Sequence, residues 1–60
     1  MIEATIVNKH GNVFNVKWQL TLDEAERLLG EPFIVIRSEG RRTAIATSSV
    51  DVFDLHEVAE

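Results

Sequence analysis

TLDEAERLLG, Thr21 to Gly30, holds a helix start, a helical body and a helix stop in one short stretch. Thr21 reads as the N-cap. Its hydroxyl can accept a hydrogen bond from the Glu24 N–H, and the Glu24 carboxylate can reach back to the Thr21 N–H. This capping box satisfies two donors that the first turn leaves unpaired. Leu20 before the cap and Ala25 after it make a weak hydrophobic staple. Asp23 and Glu24 sit where the positive end of the helix dipole favours them. Leu22, Ala25, Leu28 and Leu29 recur at helical spacing as one apolar stripe, with Glu26 and Arg27 left for water. Gly30 suits the left-handed conformation that ends a helix, and Pro32 blocks its resumption. A helix of about ten residues is marginal alone. Its stripe needs a sheet to lie on, and the flanking sequence supplies one.

Upstream, residues 2–20 read as a β-hairpin. Phe14, Val16, Trp18 and Leu20 alternate with Asn15, Lys17 and Gln19, the pattern of a strand with one buried and one wet face. Ile2, Ala4 and Ile6 alternate less cleanly with Glu3, Thr5 and Val7. A two-residue loop at His10-Gly11 would pair Val7 with Phe14 and put Glu3 beside Trp18. A three-residue loop, Lys9-His10-Gly11, pairs Ile6 with Phe14, Ala4 with Val16 and Ile2 with Trp18. A one-residue slip reverses every face, so the apolar-on-apolar register is expected. It also places Gly11 where a type I turn plus bulge needs a left-handed residue.

Downstream, PFIVIRS (Pro32 to Ser38) is a nearly continuous apolar run and reads as a strand covered on both faces. Ser38-Glu39-Gly40 turns the chain, and Arg41 to Thr47 returns, with loops of two and three residues both acceptable. The small Ala44-Ile45-Ala46 centre suits a helix packed close above it. Thr47, Ser48 and Ser49 mark another turn. VDVFDLHEV then has two readings. The first is a short fifth strand with Phe53 and Leu55 on one side. The second is a one-turn helix from near Ser49, because Val52, Leu55 and Val58 recur every three residues.

Sixty residues imply one domain, spanning 1–60, with a thin core. No cysteine is present to reinforce it, which fits a reducing compartment. No apolar run approaches a membrane span, and the N-terminus lacks a charged segment followed by an apolar core. A cytoplasmic location without membrane association is expected. The net charge of −4 is unevenly spread. The last eleven residues, 50–60, carry Asp51, Asp54, Glu57 and Glu60 with no base. Arg37, Arg41 and Arg42 lie around one hairpin turn, with a single carboxylate, Glu39, among them. The acidic total disfavours nucleic-acid binding as the main activity but leaves room for a local basic edge.

Two charged groups are candidate contact surfaces. Arg37, Arg41 and Arg42, with Lys17 beside Trp18, are the residue types that bind phosphates and stack bases. Their plainer role is a hairpin tip protected from edge aggregation, with Trp18 in the core. Asp51, Asp54, Glu57 and Glu60 would form one negative stripe on a helix and could meet a basic partner or imitate a phosphate backbone. Their plainer role is a solvated terminus. His10 and His56 are the only imidazoles, and neither they nor Asp54 and Glu57 follow a zinc-binding spacing. Ser48 and Ser49 precede Asp51 and His56 without a nucleophile-elbow motif. No catalytic residue, metal ligand or cofactor site is expected.

The sequence therefore predicts an α+β domain, an antiparallel sheet of four or five strands with one helix across a face, in the order ββαββ(β). The expected core is Ile2, Ile6, Phe14, Val16, Trp18, Leu20, Leu22, Ala25, Leu28, Leu29, Phe33, Ile34, Ile36 and Ile45, joined by Phe53 and Leu55. Val7, Val35 and Val52 are expected on an apolar second face that favours a homodimer. The leading functional expectation is a small non-catalytic protein-interaction module, an inhibitor or regulator, with Asp51, Asp54 and Glu57 as partner contacts. The first alternative is a nucleic-acid-binding accessory protein using Lys17, Arg37, Arg41 and Arg42. The second is a structural subunit of a homo-oligomer. Fold alone assigns none of these.

Overall fold

The computed structural model describes residues 1–59. Five strands form: β1 (Ile2–Asn8), β2 (Val13–Trp18), β3 (Phe33–Ser38), β4 (Arg41–Ala46) and β5 (Val50–Glu57). One α-helix, α1 (Leu22–Glu26), joins β2 to β3, so the domain is α+β in the expected order. The strands divide between two antiparallel sheets, β2-β1-β5 and β3-β4. Ala4, Ile6 and Val16 of one sheet and Ile34, Ile36 and Ile45 of the other make one buried cluster. Phe14, Trp18, Leu28, Val50, Phe53 and Leu55 close around it, half-buried. The Trp18 and Phe53 rings lie 6.2 Å apart and tilted, a favourable aromatic arrangement.

The first hairpin adopts the expected register, with Ile2, Ala4 and Ile6 opposite Trp18, Val16 and Phe14. Gly11 takes φ +85° in the loop. The Asn8 side chain accepts hydrogen bonds from the His10 and Asn12 N–H groups at 3.0 and 2.9 Å and holds the turn closed. The C-terminal segment is a strand, preceded by a single 3₁₀ turn at Thr47–Ser49. Asn8 faces Val50 while Val7 faces Val52, so Asp51 is the extra residue of a β-bulge. The bulge swings Val50 onto the core side with Phe53 and Leu55.

The capping box forms as expected, with both hydrogen bonds at 3.1 Å. The helix is shorter than the stretch that predicts it. After Glu26 the chain tightens into a 3₁₀ turn, Arg27–Gly30, and leaves through an extended Glu31. Gly30 does not take the left-handed conformation; the positive-φ glycines are Gly11 and Gly40. Ala25 alone of the predicted stripe is fully buried, and Leu29 is 50% exposed. A five-residue helix covers no sheet face. It does not need to, because the two sheets cover each other.

The same arrangement corrects three further expectations. Pro32–Ser38 is not covered on both faces: Ile34 and Ile36 point inward, while Phe33 and Val35 are 56% and 48% exposed. Ala44 is exposed opposite Val35, with no helix above it. Ala4 is fully buried in the core, where the expected list omitted it.

The β3–β4 register sets Ser38 opposite Arg41, leaving Glu39-Gly40 as a two-residue loop. Glu39 has φ +49° and Gly40 φ +76°, the type I′ turn that matches strand twist. Glu39 is the only described non-glycine residue with positive φ. Left-handed backbone costs an ordinary residue about 1–2 kcal/mol, and asparagine tolerates it better. Glu39→Asn is therefore expected to stabilise the fold by about 0.5–1 kcal/mol, seen as a rise of a few degrees in the melting temperature. An unchanged or lower melting temperature would contradict this turn.

Candidate functional site

Splitting five strands between two sheets leaves strand edges unpaired. β2 bonds to β1 on one side only, and β3 bonds to β4 on one side only. The free edges of β2 and β3 line a common groove of about 600 Å³, walled by Asn15–Trp18 and Val35–Ser38. Leu20 and Leu28, from the β2–β3 connection, complete it. Beside Phe14 and Ile36 a further depression runs toward Arg41 and Thr43.

Strand geometry decides which backbone groups face this groove. In an antiparallel pair, residues alternate between bonding the partner strand and pointing away from it. Asn8 N–H donates to Asn12 C=O at 3.1 Å, which sets the phase of the first hairpin. Phe14, Val16 and Trp18 then bond to β1, and the N–H and C=O groups of Asn15 and Lys17 point outward. In the second hairpin Thr47 N–H donates to Pro32 C=O at 3.0 Å. Ile34, Ile36 and Ser38 then bond to β4, and the backbone groups of Val35 and Arg37, both lining the groove, point away from β4.

The side chains alternate too. Val16 and Ile36 face the core and form the groove floor. They are each 9% exposed, the highest values among the buried core residues. Asn15, Lys17, Val35 and Arg37 lie at the outward positions. Two cations and no carboxylate line the groove, although the chain carries net charge −4.

The predicted basic residues are partly brought together. Lys17 and Arg37 share the groove. Arg37 lies directly across from Arg42, at a position of the β3–β4 ladder where side chains come closest. Arg41 pairs with Ser38 nearer the tip. Like charges directly opposite are destabilising, and among the described residues none of the three arginines makes an ion pair. Lys17 Nζ is 4.0 Å from Glu3 Oε1. Both side chains are well exposed, so the pair is weak.

Among the described residues the acidic candidates are not brought together, and Glu60 lies outside the described residues. Asp51 is the bulge residue, Asp54 lies on the outer face of β5 opposite Thr5, and Glu57 ends the strand opposite Ile2. A strand has period 2, so the helical spacing of three puts Asp54 and Glu57 on opposite faces. The apolar second face is divided as well. Val7 sits between Val13 and Val52 on the three-stranded sheet, whereas Val35 lies on the outer face of the other sheet.

Among the remaining candidates, His10 is exposed at the first turn. His56 Nε2 is 3.5 Å from Glu3 Oε2 on the outer face of the sheet. Ser49 Oγ donates to the Ala46 carbonyl at 2.7 Å, closing the turn before β5. Ser48 is exposed. No helix among the described residues is long and apolar enough to cross a membrane.

Sequence reading missed Asn15, Val35 and Leu28 as site residues. The alternation within β2 carried a signal for Asn15. Nothing local could show that β2 and β3 stand edge to edge without bonding. No protein family, curated protein or solved structure matches this chain.

Proposed function

We propose that this domain is a non-catalytic protein-interaction module whose contact surface is the β2–β3 groove. The observation that carries the reading is the pair of unbonded strand edges facing one groove, with an apolar floor and cationic rims. Exposed backbone donors and acceptors on a strand edge are a template for another chain. Lys17 and Arg37 favour an acidic partner, which moves the expected contact away from Asp51, Asp54 and Glu57.

The second reading is nucleic-acid binding. The adjacent Arg37 and Arg42, which make no ion pair among the described residues, support it, with exposed Phe33 on the same outer face of β3. Net charge −4 speaks against it.

The test is capture of partners on the tagged protein from lysate with and without nuclease, comparing three forms. They are the wild type, the Lys17→Glu/Arg37→Glu double variant, and the Asp51→Lys/Asp54→Lys/Glu57→Lys triple variant. A protein held by the wild type and the triple variant but lost from the double variant supports the groove. Loss only from the triple variant returns the contact to β5. Recovery that nuclease abolishes transfers the function to nucleic acid.

A further inference from the structure

The groove has an edge on each side. A strand laid against one edge leaves its own other edge unsatisfied, whereas a strand laid between two edges satisfies both. We infer that the β2–β3 groove takes an extended segment of a partner protein as an inserted strand, one that alternates apolar and acidic residues. This rests on the protein-interaction reading and specifies its occupant.

The alternation follows from the levels on either side. An inserted strand directs one set of side chains inward, between Val16 and Ile36 at the least covered part of the core. That set must be apolar. The other set emerges level with Lys17 and Arg37, where no carboxylate lines the groove. That set is complemented by aspartate or glutamate. The inserted backbone meets outward-pointing N–H and C=O groups of Asn15 and Lys17 on one side, and of Val35 and Arg37 on the other. The repulsion between Arg37 and its cross-strand neighbour Arg42 is relieved by the incoming carboxylates.

The probe is a capped synthetic peptide of alternating valine and aspartate, about seven residues long to match an ordinary strand. It is titrated against the intact protein, and binding is read by calorimetry and by residue-resolved amide hydrogen exchange. The expected result is slowed exchange at Asn15, Lys17, Val35 and Arg37. Val16 and Ile36, whose amides are already bonded within the hairpins, should change little. A single backbone N-methyl group in the peptide removes one hydrogen bond and should weaken binding about fivefold to tenfold. Insertion between two edges predicts this loss at consecutive central positions. Addition to one edge predicts it only at alternate positions and would overturn the inference. A peptide with lysine replacing aspartate should not bind, and added salt should weaken the aspartate peptide.

Binding without protection of the four amides overturns the inference, as does failure of the aspartate peptide to bind. If those amides are already protected in the free protein, and sedimentation shows a dimer, a second copy fills the groove and the inference also falls. In each case a captured partner that is lost from the Lys17→Glu/Arg37→Glu variant would leave the protein-interaction reading standing. Loss of both results removes the two together.

Discussion

Ile34→Ala is expected to bring the domain close to unfolding, while Val35→Ala next to it changes little. Ile34 is 1% exposed and belongs to the cluster shared by both sheets. Truncating a buried isoleucine to alanine costs about 2–5 kcal/mol, from lost transfer energy and the cavity left behind. A domain of this size has only about 3–9 kcal/mol in total. Each kcal/mol moves the melting temperature of so small a domain by about 4–8 °C. Val35 points outward, and its truncation loses mainly strand propensity, under about 1 kcal/mol. Urea denaturation followed by fluorescence of Trp18, the single tryptophan, measures both. Equal losses would mean that β3 is covered on both faces and that the two-sheet arrangement is wrong.

Ala25→Asp should be nearly as damaging, and Leu29→Ala nearly silent. Ala25 is 0% exposed and is the one buried residue of α1. An aspartate there is too short to reach water, and an uncompensated buried charge costs about 3–5 kcal/mol. Leu29 lies on the 3₁₀ turn and is half exposed, so its truncation falls within about 0.5–1 kcal/mol. Both residues belong to the same apolar stripe in the sequence, and the contrast between them measures how far the helix really docks. Thermal unfolding by circular dichroism decides it. A loss at Leu29 comparable to that at Ala25 would restore the full ten-residue helix lying across a sheet.

These pairs of neighbours mark where local pattern stops being informative. Ile34 and Val35 are both branched apolar residues in one strand, and composition cannot tell which faces the interior. Ala25 and Leu29 both satisfy the helical period, yet the tightened turn after Glu26 rotates Leu29 away. The site was less legible than the fold. Lys17 and Arg37 stand out as charged residues, but they meet only because β2 and β3 are brought edge to edge. Asp51, Asp54 and Glu57 looked like one stripe because their spacing is helical, and the strand separates them.

The sequence by itself determined the order of the first four strands and the helix, the capping box at Thr21, the register of the first hairpin and the need for a left-handed Gly11. Each depends on interactions within a few residues or across one short turn, where sterics and hydrogen bonding leave few alternatives. Only the tertiary structure decided that five strands part into two facing sheets, that the helix shrinks to a plug at Ala25, and that two free edges enclose a basic groove. Those outcomes depend on how a thin core is best covered from both sides. That is a property of all the apolar residues together, and no single stretch of the chain contains it.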